Sequence, residues 1–188
     1  MTARNYNRTL GRLRLIALFA LVAVLLYLAE PNRMSVLVGG VFVVLGEWVR
    51  FWAAGHLFKT KELITSGPYR YTRNPLYFGR FLIFTGLCIM VHLPYAGSWI
   101  ILILGYVAFF GYYLPRKERV EPARLREEHG EPFDRYFDAV PALFPTLPPY
   151  AEAGSGRWQF DRLVRNKEYW MVVLLASITI YLWFHSSG

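Results

Sequence analysis

Thr65-Ser-Gly-Pro-Tyr-Arg-Tyr-Thr-Arg-Asn-Pro-Leu-Tyr-Phe-Gly-Arg80 is the stretch on which the reading of this chain turns. It is polar, rich in tyrosine and glycine, and it runs straight into the apolar block Leu76–Leu93. Pro75 suits the first turn of a helix, where its missing N–H would be unpaired anyway, and it pushes Asn74 out of helical geometry. The spacing therefore predicts an ordered, non-helical loop over Gly67 to Asn74 at the mouth of an apolar helix. The N–H groups of such a loop, with the helix N-terminus behind them, suit a carboxylate or a phosphate.

Outward from this stretch the apolar residues come in blocks, not in amphipathic stripes. Leu13–Ala29, Met34–Ala54, Leu76–Leu93, Ser98–Leu114 and Tyr169–Phe184 each approach the ~20 residues that a helix needs to cross a bilayer, in a chain that is 55% hydrophobic and 18% aromatic. Backbone inside lipid must satisfy its own hydrogen bonds, so the blocks are helices. The fold class expected is all-α, a polytopic membrane bundle of about five spans with a cytosolic helical and extended segment capping it.

The formal net charge is +8, but its distribution argues against nucleic acid. With five spans drawn, only Arg33 of the 21 Lys and Arg residues falls on one side. That asymmetry predicts a cytoplasmic N-terminus and an outer C-terminus, in bacteria across the inner membrane. Membrane lipids are then the expected partners, and nucleic acid is not. Cys88 is the lone cysteine and His56, His92, His129 and His185 are scattered, so neither a disulfide nor a metal site is expected.

Beyond the fourth block, Pro115 separates the span from a charged helix of about Arg116 to His129. Gly130 ends that helix, and Pro132 opens a short one carrying Phe133, Tyr136 and Phe137. Proline-stiffened chain from Pro141 to Pro149 is expected to lie back across the bundle mouth. Residues 1–149 read as the core unit, and 150–188 as a linker, an interfacial basic helix over Arg157–Lys167 and a fifth span.

The order of parts resembles the isoprenylcysteine carboxyl methyltransferase family in its bacterial branch, a group similar to the membrane phospholipid N-methyltransferases. The resemblance rests on Gly46-Glu47, Arg50, Trp52 to His56, Lys59, Ser66-Gly67-Pro68-Tyr69, Arg73-Asn74-Pro75-Leu76-Tyr77 with Gly79, and the tail Glu121, Leu125, Gly130, Phe133, Tyr136, Val140-Pro141 and Pro145. It implies S-adenosylmethionine at the cytosolic mouth and methyl transfer to a hydrophobic, lipid-like or prenyl-like acceptor. On this resemblance His56, Lys59, Gly67, Pro68, Tyr69, Arg73, Asn74, Pro75, Tyr77, Glu121 and Tyr136 bind the cofactor. Arg73, Asn74, Tyr77 and Glu121 serve catalysis, and Glu47, Arg50 and Glu118 contact the acceptor. Tyrosine faces hold a sulfonium, Arg73 a carboxylate and Glu121 an ammonium.

Two positions depart from the family pattern. Its histidine is Asn74 here, which cannot titrate, and its second glutamate is Pro122, with Glu118 one helical turn earlier as a substitute. Plainer readings exist for several residues. Glu47 and Arg50, three apart on one helix, can simply neutralise each other; Tyr71 can be an interfacial aromatic; Arg80 can snorkel to the surface. Two other functions compete with methyl transfer: an NADPH-dependent membrane reductase of the sterol type, whose Arg-x-Pro-x-Tyr element is similar, and a non-catalytic protein that keeps the fold.

Overall fold

The computed structural model describes residues 8–57 and 63–187. Within them the chain is helical: α1 (Arg8–Tyr27), α2 (Arg33–His56), a 3-10 turn (Gly67–Arg70), α3 (Pro75–Val91), α4 (Gly97–Ala108), a π-helical turn (Phe109–Tyr113), α5 (Leu114–His129), α6 (Glu131–Ala139), α7 (Phe160–Arg165) and α8 (Glu168–Phe184). No strand occurs among the described residues, apart from one isolated bridge between Asn32 and Ser187. All five apolar blocks are helices. Arg33–His56 and Gly97–His129 are long and apolar enough to cross a membrane, while Pro75–Val91 and Glu168–Phe184 are apolar but shorter. Val41, Val44 and Trp48 on α2 and Ile103, Leu104 and Val107 on α4 are exposed, which suits a membrane protein whose outer solvent is lipid.

The pairing of α2 with α3 is set by glycine. Gly39 and Gly46 on one helix meet Gly86 and Gly79 on the other, and a Cβ built on Gly46 would stand 2.6 Å from the carbonyl oxygen of Gly79. Without side chains at these crossings the two backbones touch, the packing by which helices associate where water supplies no drive. Val36, Val43, Ile83, Met90, Leu175 and Leu182 then form one buried cluster, so α8 shares the core of α2 and α3.

The start of α2 is closed by a reciprocal cap, in which the Ser35 N–H donates to Asn32 Oδ1 and the Asn32 N–H to Ser35 Oγ. Its other end is closed from afar. The Gln159 N–H donates to the Gly55 carbonyl at 3.0 Å, Asn166 Nδ2 to that of Ala54 at 3.2 Å and Arg162 Nη1 to that of His56 at 3.1 Å. A helix end leaves its last carbonyls short of partners, although that of Ala54 also accepts from the Leu57 N–H at 3.2 Å, and the Arg162 cation also suits the negative end of the helix dipole. The basic segment read as an interfacial helix over 157–167 is thus a shorter helix, α7, hooked under α2. At the far end Ser187 exchanges backbone hydrogen bonds with Pro31 and Arg33.

Pro115 does not divide the fourth block from the charged helix. Residues 97–129 form one continuous helical run of 33 residues. Pro115 has no N–H for the carbonyl four residues back, and the turn just before it widens so that the Leu114 N–H reaches Phe109; this π geometry absorbs the misfit. The consequence is geometric. A run of that length measures about 50 Å, more than the ~30 Å of a bilayer's hydrocarbon, and beyond its apolar part it carries Lys117, Glu118 and Glu121 to the loop before α3.

Candidate functional site

The loop is ordered, as its prolines require, but it is not wholly non-helical. Pro68 opens the 3-10 turn, and Gly67 before it has φ +60°. A Cβ there would collide with the His56 ring, while His56 Nδ1 lies 3.2 Å from Ser66 Oγ. His56, Gly67 and Pro68 therefore pack the loop against the end of α2.

Chain from 141 to 150 lies back across this loop. The Arg73 N–H donates to the Pro141 carbonyl at 2.9 Å, that of Thr146 to Tyr71 at 3.1 Å and that of Tyr150 to Arg70 at 2.8 Å. Thr72 Oγ1 donates to the Leu143 carbonyl at 2.9 Å, and the Asn74 N–H to Thr72 Oγ1 at 3.3 Å. The expected anion nest does not form, because the loop's N–H groups are taken up within the loop itself and, at Arg73, by this strap. The N–H groups of Tyr69, Tyr71, Thr72, Arg73 and Asn74 are all hydrogen-bonded within the chain, so charged side chains are left to recognise a ligand.

Those side chains converge. Arg73 Nη2 pairs with Glu118 Oε2 at 2.6 Å and Nη1 donates to the Phe137 carbonyl at 2.7 Å, with the guanidinium 3.6 Å above the Phe137 ring centre. Burial works against its charge and lowers its pKa, and Glu118 opposes that shift. Asn74 Nδ2 donates to Glu118 Oε1 at 2.9 Å and to the Ala142 carbonyl at 2.7 Å, and its Oδ1 accepts from Lys117. Every polar atom of that amide is used: Asn74 ties loop, strap and α5 together. Lys117 also pairs with Glu121 at 2.6 Å and stands 4.7 Å from the Tyr77 ring centre.

These groups wall a cavity of about 350 Å³ between loop and α5. Its polar side is Arg73, Asn74, Lys117, Glu118 and Glu121; Tyr69, Tyr77 and Tyr136 add rings, and Leu57, Leu63, Ile64, Leu125, Phe133 and Phe137 close the apolar side. Tyr136 donates its hydroxyl to the Tyr69 carbonyl at 2.7 Å. Burial first, then nearby anionic groups, push both hydroxyls up from the usual tyrosine range, so both rings stay neutral.

Of the residues expected at a site, Tyr69, Arg73, Asn74, Pro75, Tyr77, Glu118, Glu121 and Tyr136 line this cavity; His56, Gly67 and Pro68 do not. Lys59 lies outside the described residues. Glu47 and Arg50 stand apart from it as well. Arg50 is buried, pairs with Glu168 at the start of α8, and has Nε 3.6 Å from Glu47. Sequence reasoning passed over Lys117, whose spacing of four from Glu121 was the available signal, and Phe137, whose ring supports Arg73. It also passed over Glu168, the acidic partner of Arg50 118 residues away.

No curated protein and no solved structure matches the chain. Residues 33–118, from the first turn of α2 to the Glu118 that holds Arg73, match the family model of phospholipid methyltransferases, a stretch short of half the chain that stops before Glu121 and Tyr136.

Proposed function

We propose that this protein is a membrane methyltransferase that takes S-adenosylmethionine into the cavity between the loop and α5 and methylates a lipid, most simply a phospholipid. The carrying observation is the cavity itself. Three tyrosine rings, two cations and two carboxylates meet there, at the emerging end of a helix long enough to cross a bilayer and largely within the stretch that matches phospholipid methyltransferases. The motifs resemble the isoprenylcysteine group; the matched model carries the phospholipid name, and the acceptor is taken from it.

The residues fit such a cofactor. A cavity of about 350 Å³ falls in the range of small-molecule sites. Arg73 Nε is buried there without a partner, an orphan donor that a carboxylate would satisfy, with Lys117 beside it. Glu121, 45% exposed and paired with Lys117, is free to exchange that partner for a ligand ammonium. The faces of Tyr69, Tyr77 and Tyr136 suit a sulfonium. S-adenosylmethionine supplies an activated methyl group whose carrier loses its positive charge as the methyl leaves.

The chain's part is to align, dehydrate and hold protons. Phe133, Phe137 and Leu125 exclude water from the apolar wall. Asn74 cannot take a proton, and Glu118 is held by Arg73 and Asn74, so Glu121 is the carboxylate placed to accept one from an amine. Pro122 also lines the cavity. Glu118 stands where the family's second carboxylate is missing, which favours a working site over a relic.

The test is equilibrium binding of S-adenosylmethionine to the detergent-purified protein, beside Arg73→Ala and Glu121→Ala, followed by transfer of labelled methyl to a lipid extract. Saturable wild-type binding that each variant weakens is expected, with label in the lipid fraction. No binding at millimolar ligand, or binding of NADPH instead, would overturn the reading.

A further inference from the structure

A second cavity, of about 330 Å³, lies beside the first on the lipid side of α3 and α4. Its walls are aromatic, with Phe81, Phe84, Tyr106 and Phe109 prominent, and its one cation is Arg80. A Cβ on Gly105 would run into the Phe84 ring, so this glycine keeps room for the aromatic wall. The two cavities share one residue, Tyr77. Its hydroxyl lies 3.0 Å from that of Tyr113, which the π turn presents to α3.

Arg80 is exposed and, among the described residues, forms no ion pair with a carboxylate; its guanidinium stands 5.1 Å from the Tyr77 ring centre. Lys117, in the other cavity, is 4.7 Å from the same centre. A cation without a carboxylate at the rim of an aromatic groove fits a molecule that joins a hydrocarbon chain to an anion. The wall that the groove shares with the donor cavity at Tyr77 says where that molecule's other end points.

We propose that the α3–α4 groove seats one acyl chain of a membrane phospholipid acceptor, that Arg80 binds its phosphate, and that the Tyr77–Tyr113 hydroxyl contact is the partition its headgroup passes to reach the donor cavity. Arg80 is then a specificity residue: it selects acceptors bearing a phosphate at a fixed distance from the reacting group. The proposal rests on the methyltransferase reading for its direction of travel but not for the groove's occupant. Charge-assisted contacts from one guanidinium to a phosphate correspond to about tenfold in affinity.

The experiment is photolabelling in nanodiscs with two probes, each with a diazirine in its alkyl chain: a phosphatidylethanolamine and a long-chain primary amine without phosphate. Labelled peptides are mapped by mass spectrometry, and S-adenosylmethionine binding is measured on the same samples. Expected is labelling concentrated on residues 77–84 and 105–113, with the phospholipid favoured by about tenfold. Arg80→Gln should bring that preference near unity while donor binding persists, and Gly105→Leu should reduce groove labelling by both probes. An unchanged preference in Arg80→Gln, or label spread evenly over all lipid-facing helices, would overturn the proposal. Labelling that follows Arg80 in a protein that binds no donor would sink the methyltransferase reading and keep the groove.

Discussion

Two clusters of charge stand in this molecule, alike on paper and different in kind. Glu47, Arg50 and Glu168 join α2 to α8 within the bundle, while Arg73, Lys117, Glu118 and Glu121 join the loop to α5 at its edge. Each brings Arg and Glu together across a long reach of sequence, and each lies beside an apolar span. In the first, Arg50 is 3% exposed, and neither carboxylate oxygen of Glu47 has a hydrogen-bond partner; no cavity adjoins it among those lined by the site residues. In the second, every charge faces a hollow large enough for a ligand. A buried ion group without a hollow fixes how helices dock. The same chemistry beside a hollow can exchange its partners.

The contrast is broken most forcefully at Arg50. Arg50→Ala leaves two carboxylates buried without their cation, which should cost about 3–5 kcal/mol, read as a large fall in thermal unfolding temperature in detergent. Replacing the whole group by apolar residues (Glu47→Leu, Arg50→Met, Glu168→Leu) should restore most of that loss; donor affinity measured on the folded fraction should stay near wild type. Failure of the triple variant to recover would mean that these charges serve more than docking.

Arg73→Ala should behave in the opposite way. The loss in stability is smaller, about 1–3 kcal/mol for the unpaired Glu118 and the lost bond to Phe137, because Glu118 itself is 21% exposed and can be solvated. The loss in S-adenosylmethionine affinity is larger, tenfold or more, by isothermal titration. Equal stability losses at Arg50 and Arg73, with donor binding untouched, would erase the distinction between the clusters.

The smallest effects belong to the tyrosines. Tyr136→Phe removes one buried hydrogen bond to the Tyr69 carbonyl and should cost about 1 kcal/mol. Both hydroxyls have raised folded values. Their contribution to stability is therefore complete below the ordinary tyrosine value near 10 and declines as pH rises through the folded values. Ultraviolet titration of the folded protein should show two tyrosines still neutral when the exposed ones have ionised, and one fewer in Tyr136→Phe. Normal titration of every tyrosine would show the cavity wall to be open to water.

Much of the fold was legible because its signals are local. Apolar blocks give helices wherever they lie, Pro75 marks the start of α3, and Gly130 marks the end of α5. Pro115 misled because a proline is judged by the bond it removes, whereas the π turn before it reroutes that bond. The glycines at 39, 46, 79 and 86 repeat at seven residues on each helix, a signal present in the sequence and given meaning only when the two helices are set antiparallel. Arg73, Glu118, Glu121 and the tyrosines that line the cavity were singled out through the resemblance that their types and order carry. Lys117 was lost in a basic run in which position alone distinguishes it.

By itself the sequence determined that this chain is helical, that its helices suit lipid, and that polar chemistry gathers where one of them begins, since these follow from hydrophobic content and backbone preference along a single segment. Only the tertiary structure decided which charges face a hollow and which lock helices together, that the strap from 141 to 150 hydrogen-bonds across the loop, and that α7 closes α2. Those outcomes depend on which atoms meet across a hundred residues of intervening chain, and no local preference encodes that.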